Sequence, residues 1–234
     1  MSMLIVLRRY VGKQHCKRHM IKIATVHSMI LAGVCFVTAL QTSVHAAEPG
    51  LYFGLDGGLN LTHDVDLDFS AGGFSLPGDA EFDPGFRFDM LGGYNLNKFF
   101  GIELESGFIY NNFSSLTIAG NELDEGDSFL GRVPLLANAI FRYENETAWT
   151  PYAGIGAGGA LTILEIDEVE TDTQFAFAWQ AQLGVKYAFD ERSSVGVGYK
   201  YFGTTSQEYE IEDVDLELQE THSHAFVVSV NVKF

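Results

Sequence analysis

Cysteine is nearly absent: the chain has two, Cys16 and Cys35, and both lie near the amino terminus. Bases are scarce as well. Of fourteen Lys and Arg residues, six (Arg8, Arg9, Lys13, Lys17, Arg18, Lys22) precede residue 23, while all 31 acids lie beyond residue 46. The opening 22 residues are therefore basic without an acid, and the apolar run Ile23 to Leu40 and then QTSVHAAEPG follow. That order predicts a signal peptide over residues 1–46, with Val44 and Ala46 at the cleavage site. Met20 opens a more ordinary leader, MIKIATVHS, and is the alternative start. A retained membrane anchor is the competing reading. The run is of marginal length for one, and Thr25, His27, Ser28 and Thr38 weaken it. Val34 before Cys35 argues against a lipoprotein.

Removing such a leader removes both thiols, which excludes an internal disulfide, a cysteine nucleophile and a thiolate metal site. Eight bases against 31 acids leave a mature charge of −23. A surface so acidic excludes nucleic-acid binding by phosphate neutralisation. Residues 47–234 also lack any apolar run near the ~20 residues a helical span needs, so a membrane crossing would be made by strands.

What is present is alternation. From His224 to Phe234 every second residue is His224, Phe226, Val228, Val230, Val232 and Phe234, a two-faced strand with an aromatic end. Seven earlier segments alternate in the same way. They begin near Leu51, Gly85, Phe100, Arg132, Trp149, Phe175 and Ser194, and the sixth sets Phe175, Phe177, Trp179, Ala181, Leu183, Val185 and Tyr187 against Gln180, Gln182 and Lys186. Short connections follow the second, fourth and sixth segments, and connections of roughly 10–20 residues follow the others, the rhythm of an outer-membrane barrel. The predicted fold is all-β: an eight-stranded antiparallel up-and-down transmembrane β-barrel over residues 47–234, preceded by the signal peptide. Both termini would face the periplasm. Closure is required, because an open edge in hydrocarbon leaves backbone groups unpaired.

The segments WTPYAGIGAGGA, FAWQAQLGVKYAFD and SVGVGYKYF, with the terminal Phe234, resemble strands of the small outer-membrane β-barrel domains grouped with the transmembrane domains of OmpA and OmpX. The resemblance covers about Leu51 to Phe234. It implies a monomer in contact with outer-membrane lipid and lipopolysaccharide, inserted by the barrel-assembly machinery. The terminal strand (Phe226, Val228, Val230, Val232, Phe234) would be the insertion signal. No peptidoglycan-binding domain is expected after the last strand.

Alternation also assigns the interior. Asp56, Arg87, Asp89, Glu103, Glu105, Arg132, Arg142, Lys186, Lys200 and Lys233 fall on the inward faces and are expected to form a lumen charge network, since an eight-stranded barrel is just wide enough for side chains to fill. The long connections hold 22 acids and no base. DVDLDF from Asp64 and EYEIEDVDLELQE alternate acidic and apolar residues, which predicts strands continuing beyond the bilayer. Tyr209, Ile211, Val214, Leu216 and Leu218 would form the apolar face of one of them. Asp64, Asp66 and Asp68 mimic the opening of a calcium loop without its glycine or final glutamate, so Ca²⁺ or Mg²⁺ is a candidate ligand of the loops.

The functional expectation is a structural or surface-interaction protein with an unidentified surface partner; projecting strand edges could capture partner chains. A minor solute or ion pore is the alternative. A lipid-modifying enzyme is a distant third, because His222 and His224 point to one side of their strand and Ser223 to the other, the wrong arrangement for a nucleophile and its base. The only other histidine after residue 46 is His63. GIGAGG from Gly154 matches a dinucleotide spacing but lies within a strand, where close packing explains the glycines better.

Overall fold

A computed structural model describes residues 50–71, 74–118, 121–123, 128–143, 145–165, 172–211 and 214–234. The signal peptide, its cleavage site and Met20 lie outside the described residues. Eight strands form the barrel: β1 (Leu51–Thr62), β4 (Gly85–Asn95), β5 (Phe100–Ile118), β7 (Phe129–Arg142), β8 (Trp149–Glu165), β9 (Asp172–Ala188), β10 (Ser193–Thr204) and β13 (Thr221–Lys233). Each pairs antiparallel with the next, and β13 returns to β1 (Phe53 opposite Val232, Leu59 opposite Phe226), so the sheet closes on itself. Closure pairs the backbone of what would otherwise be two edge strands in hydrocarbon.

The alternation becomes a lipid face and a lumen face. Leu55, Leu104, Leu135, Ile155, Phe175, Leu183, Val197 and Val228 all point outward, with Phe175 71 % and Ile155 70 % exposed. The intervening residues are buried or half-buried. Aromatic rings cluster toward both ends of this apolar belt, which fits the two membrane–water interfaces. Trp149 and Tyr187 (ring centroids 4.8 Å apart) with Phe100 and Phe141 (5.5 Å) mark the short-turn end. Phe86 and Tyr110 (5.3 Å) with Trp179 and Tyr201 (5.3 Å) mark the other.

The strands are longer than the alternation alone implied. Chain expected to be loop is strand instead: β5 runs for 19 residues and β8 and β9 for 17 each. Five further strands lie beyond the barrel, namely β2 (Val65–Ala71), β3 (Phe74–Phe82), β6 (Asn121–Leu123), β11 (Gln207–Ile211) and β12 (Val214–Leu218). They pair in the order β11-β12-β2-β3-β5, with β6 on β5, so the outer part of β5 carries a second sheet at the long-loop end. Its inward side chains Val65, Leu67, Ala80, Phe113 and Leu218 form a dry core with Leu130 of β7 and Leu164 of β8. The side chains of Tyr209, Ile211, Val214 and Leu216 lie outside what is described.

Candidate functional site: the filled lumen and the acidic rim

Within the barrel the polar side chains are stacked in layers. The lower layer is an ionic knot contributed by four strands. Lys200 Nζ on β10 reaches Asp56 Oδ2 (2.8 Å) on β1, Asp89 Oδ2 (2.9 Å) on β4 and Glu105 Oε1 (2.9 Å) on β5. Arg87 donates from Nε to Asp89 (2.7 Å) and from Nη2 to Glu105 (2.7 Å). Gln180 donates to Glu105 Oε2 (3.0 Å) and to Asn138 Oδ1 (2.9 Å), and accepts from Arg87 Nη2 (3.0 Å). These cations are fully buried, and single acids in this setting would carry a desolvation cost of several kcal/mol each. Mutual pairing offsets it.

Glu103 sits one step toward the short-turn end, where Tyr52 Oη donates to it (2.9 Å). Beside it Lys186 donates to Asn231 Oδ1 (3.0 Å) and lies against the rings of Tyr52 and Tyr152, at 5.4 and 5.0 Å. Arg142 donates to the Asn97 carbonyl in the turn. Lys186, Arg142, Asn231 and Lys233 line a cavity of about 70 Å³ that opens at this end. The ten residues expected in one charge network are thus divided. Asp56, Arg87, Asp89, Glu105 and Lys200 form the knot, Glu103 adjoins it, and Arg142, Lys186 and Lys233 belong to the mouth.

Arg132 is the tenth, and it stands apart. It is buried, yet it donates to the hydroxyls of Thr62 (2.7 Å) and Thr221 (3.2 Å), and no carboxylate among the described residues pairs with it. Asn60 and Asn111 complete this upper polar layer through a 2.7 Å bond. An apolar layer of Ile109, Leu136, Ala160, Ala178 and Phe202 separates it from the knot. Both guanidiniums lie against the Phe202 ring, Arg87 at 5.5 Å and Arg132 at 5.6 Å. Above Arg132 comes the dry core shared with the second sheet. Phe202 and the hydroxyl layer were not anticipated, although the period that set Lys200 inward also sets Phe202 and Thr204 inward.

Outside, the acids line one face of the second sheet. Asp66 lies opposite Asp79, and Asp68 lies opposite Glu217. Asp64, Asp66, Asp79, Glu81, Glu217 and Glu220 are exposed. Asp68 accepts from Gln219 Nε2 (3.0 Å). Among the described residues no three acids or histidines converge on a metal-binding geometry, Asp64, Asp66 and Asp68 included. Ser223 is buried in the lumen while His222 and His224 lie on the outer face, so these residues form no nucleophile–base pair. The glycines of GIGAGG sit at close approaches: a Cβ on Gly156 would lie 1.8 Å from Asn138 Oδ1, and one on Gly158 would lie 2.1 Å from the Leu135 carbonyl.

Residues 32–234 match the outer membrane protein beta-barrel domain family. The chain belongs to that family. The outer membrane protein PagN of Salmonella typhimurium is 32 % identical over 75 residues, which are 28 % of this chain and 31 % of PagN. Two solved structures share the fold. Neisserial surface protein A superposes with a TM-score of 0.52 at 18 % identity, covering 79 % of this chain and 97 % of that one, and OprG from Pseudomonas aeruginosa with 0.58 at 13 %, covering 78 % and 96 %. As a member of this family the protein is an integral β-barrel of the bacterial outer membrane. Barrels of this kind turn tightly on the periplasmic side and extend on the outer side. The knot and its mouth are therefore periplasmic in aspect, and the acidic sheet is extracellular.

Proposed function

We propose that this outer-membrane barrel serves a structural and surface-interaction role, presenting its acidic extracellular sheet to partners, and that its lumen is a plug. One observation carries the reading. Polar and apolar layers alternate through the interior, from the Lys200 knot through Phe202, Ile109 and Leu136 to Arg132 and then to the Phe113, Leu130 and Leu164 core. An ion crossing the barrel would have to shed its water at two apolar layers, at the cost that burying an unpaired charge carries. The sheet above supplies the interaction surface. The acids supply selectivity for a cationic partner, or for the divalent cations that bridge to lipopolysaccharide. The barrel acts as a monomer, and β13, with Phe226, Val228, Val230 and Val232 outward and the Phe234 ring packed 5.7 Å from Phe53, carries the insertion signal for the assembly machinery.

Planar-bilayer recording of the refolded protein tests this. Wild type is expected to be silent, and so are Glu105→Gln and Lys200→Gln, because neither substitution touches the apolar layers. A steady conductance in wild type that shifts in selectivity in the two variants would establish the ion pore, the reading favoured by the charged lumen and its periplasmic cavity.

A further inference from the structure

We propose that His63 and His224 form a binding site for a divalent transition cation of the copper(II) or nickel(II) type, on the outer face of the barrel at its extracellular rim. Three histidines follow residue 46, namely His63, His222 and His224, and the fold gathers them. His63 comes just after β1, and its amide donates to the His222 carbonyl (2.9 Å), prolonging the β1–β13 ladder by one step. Residues 63 and 222 are thereby opposite each other. His224 is diagonal to His63 on the same outward face.

The two rings are turned toward each other. His63 Nε2 and His224 Nε2 are 2.6 Å apart, with centroids separated by 4.8 Å. The far nitrogen of His224, Nδ1, lies 2.5 Å from Tyr199 Oη, and the Tyr201 ring is 5.0 Å away. A partner on the second ring nitrogen is the arrangement that orients a metal-bound imidazole and fixes its tautomer. With a cation bound, His224 carries its proton on Nδ1 and donates to Tyr199, and both Nε2 lone pairs face the metal. His63, whose ring is exposed, carries its proton on its own Nδ1. Without metal, one Nε2–H donates to the other ring.

Distance selects the class of cation. With bonds of about 2.0 Å, two donors at a right angle stand about 2.8 Å apart, whereas tetrahedral donors stand about 3.3 Å apart. The observed separation needs the smaller opening to accept a tetragonal centre. Imidazole nitrogen also suits copper, nickel and zinc, while oxygen ligands suit calcium and magnesium, so this site is chemically distinct from the carboxylate face above it. Water would fill the remaining positions. The nearest further donors belong to the same patch: His222 is stacked on Tyr201 (5.8 Å between centroids) with its Nε2 3.9 Å from Glu220 Oε2. Exposed acids such as Asp64 and Glu220 raise the local concentration of any cation approaching this rim.

The chain has two tryptophans, which makes the test direct. Trp179 lies 6.0 Å from His222 in the same patch, and Trp149 is at the periplasmic end. In a Trp149→Phe background, copper(II) titrated into the folded, detergent-solubilised barrel at neutral pH is expected to quench Trp179 saturably with one equivalent. EDTA should reverse the effect, and acidification should weaken it by protonating the imidazoles. His63→Ala and His224→Ala should each abolish saturation, and Tyr199→Phe should raise the apparent Kd roughly tenfold. In competition, copper should outrank nickel. Unchanged heat-modifiable gel migration would show that each variant is folded. Absence of saturable quenching in the folded parent would overturn the proposal. So would affinity unchanged from the parent in both His63→Ala and His224→Ala, or loss of binding on His222→Ala alone.

Discussion

At the scale of single residues, the interior is governed by whether a buried charge finds its counter-charge. Lys200 meets three carboxylates within 2.9 Å, and both sides of each contact are buried. Replacing one partner leaves the others uncompensated, so Lys200→Gln should lower unfolding free energy by about 3–5 kcal/mol in urea titrations of the refolded barrel. Lys98→Gln, exposed in the turn after β4, is the control and should change it by less than about 0.5 kcal/mol. Equal losses in the two variants would mean that the knot does not hold the barrel. The short turns depend on single side chains too. Asn97 Oδ1 accepts from the amides of Phe99 and Phe100, Asn145 Oδ1 from that of Thr147, and Asp190 Oδ1 from those of Arg192 (2.7 Å) and Ser193 (2.6 Å). Only Asp190 titrates among these three. Its two backbone hydrogen bonds hold its carboxyl below the ordinary value of 3.8. A depressed carboxylate contributes its stabilisation in full above the unfolded-state value and loses it as pH falls through the folded-state value. The Arg192 and Ser193 amide resonances should therefore titrate with a midpoint below 3.8, and Asp190→Asn should remove that step while the other two turns show none.

At the scale of the element, the barrel strands were legible because membrane burial makes alternation obligatory: one face must be apolar and the other must fill a narrow lumen. The same period assigns an inward facing to the ten charged residues, of which Asp56, Arg87, Asp89, Glu103, Glu105, Arg132 and Lys200 are buried. It could not give their grouping, because shear between strands decides which inward side chains share a level. So Arg132, which sequence alone cannot separate from Arg87, ends up in a hydroxyl layer, with the Phe202 ring against both guanidiniums. Strand ends were less legible. Acidic–apolar alternation marked the β2 and β12 regions, but the outer extension of β8 and β9 carries mixed composition, and only pairing with a neighbour makes it strand. Closure leaves its own mark at two adjacent glycines. A Cβ on Gly58 would lie 1.9 Å from the Phe226 carbonyl across the β1–β13 seam, while one on Gly57 would meet nothing within 4 Å. Gly58→Ala has to displace backbone and should cost about 1–3 kcal/mol, with a larger unfolded band in cold gel migration, while Gly57→Ala should be nearly neutral. If the two behave alike, the seam is looser than its geometry indicates.

At the scale of the whole molecule, charge is segregated along the barrel axis. The bases following residue 46 sit in the lumen or the short turns, the long connections hold no base, and among their described acids Asp64, Asp66, Asp79, Glu81, Glu217 and Glu220 are exposed. Repulsion is therefore concentrated in the extracellular sheet, where Asp66 faces Asp79 and Asp68 faces Glu217 across paired strands. Like charges directly opposite destabilise a pair of strands, and the dry core of Leu67, Leu218, Phe113 and Leu130 beneath opposes that loss. Simple salt screens such charges, with a Debye length of about 10 Å at 0.1 M, but a divalent cation can also bridge two facing carboxylates. Protease cleavage of the sheet in the folded barrel should then slow in Ca²⁺ and quicken in EDTA by more than sodium chloride of matched ionic strength produces. Asp66→Asn combined with Asp79→Asn should flatten that difference, because one facing pair no longer repels or bridges. Identical cleavage rates in Ca²⁺, EDTA and matched salt would show that the apolar core alone holds the sheet and would leave the acids as a repulsive coat.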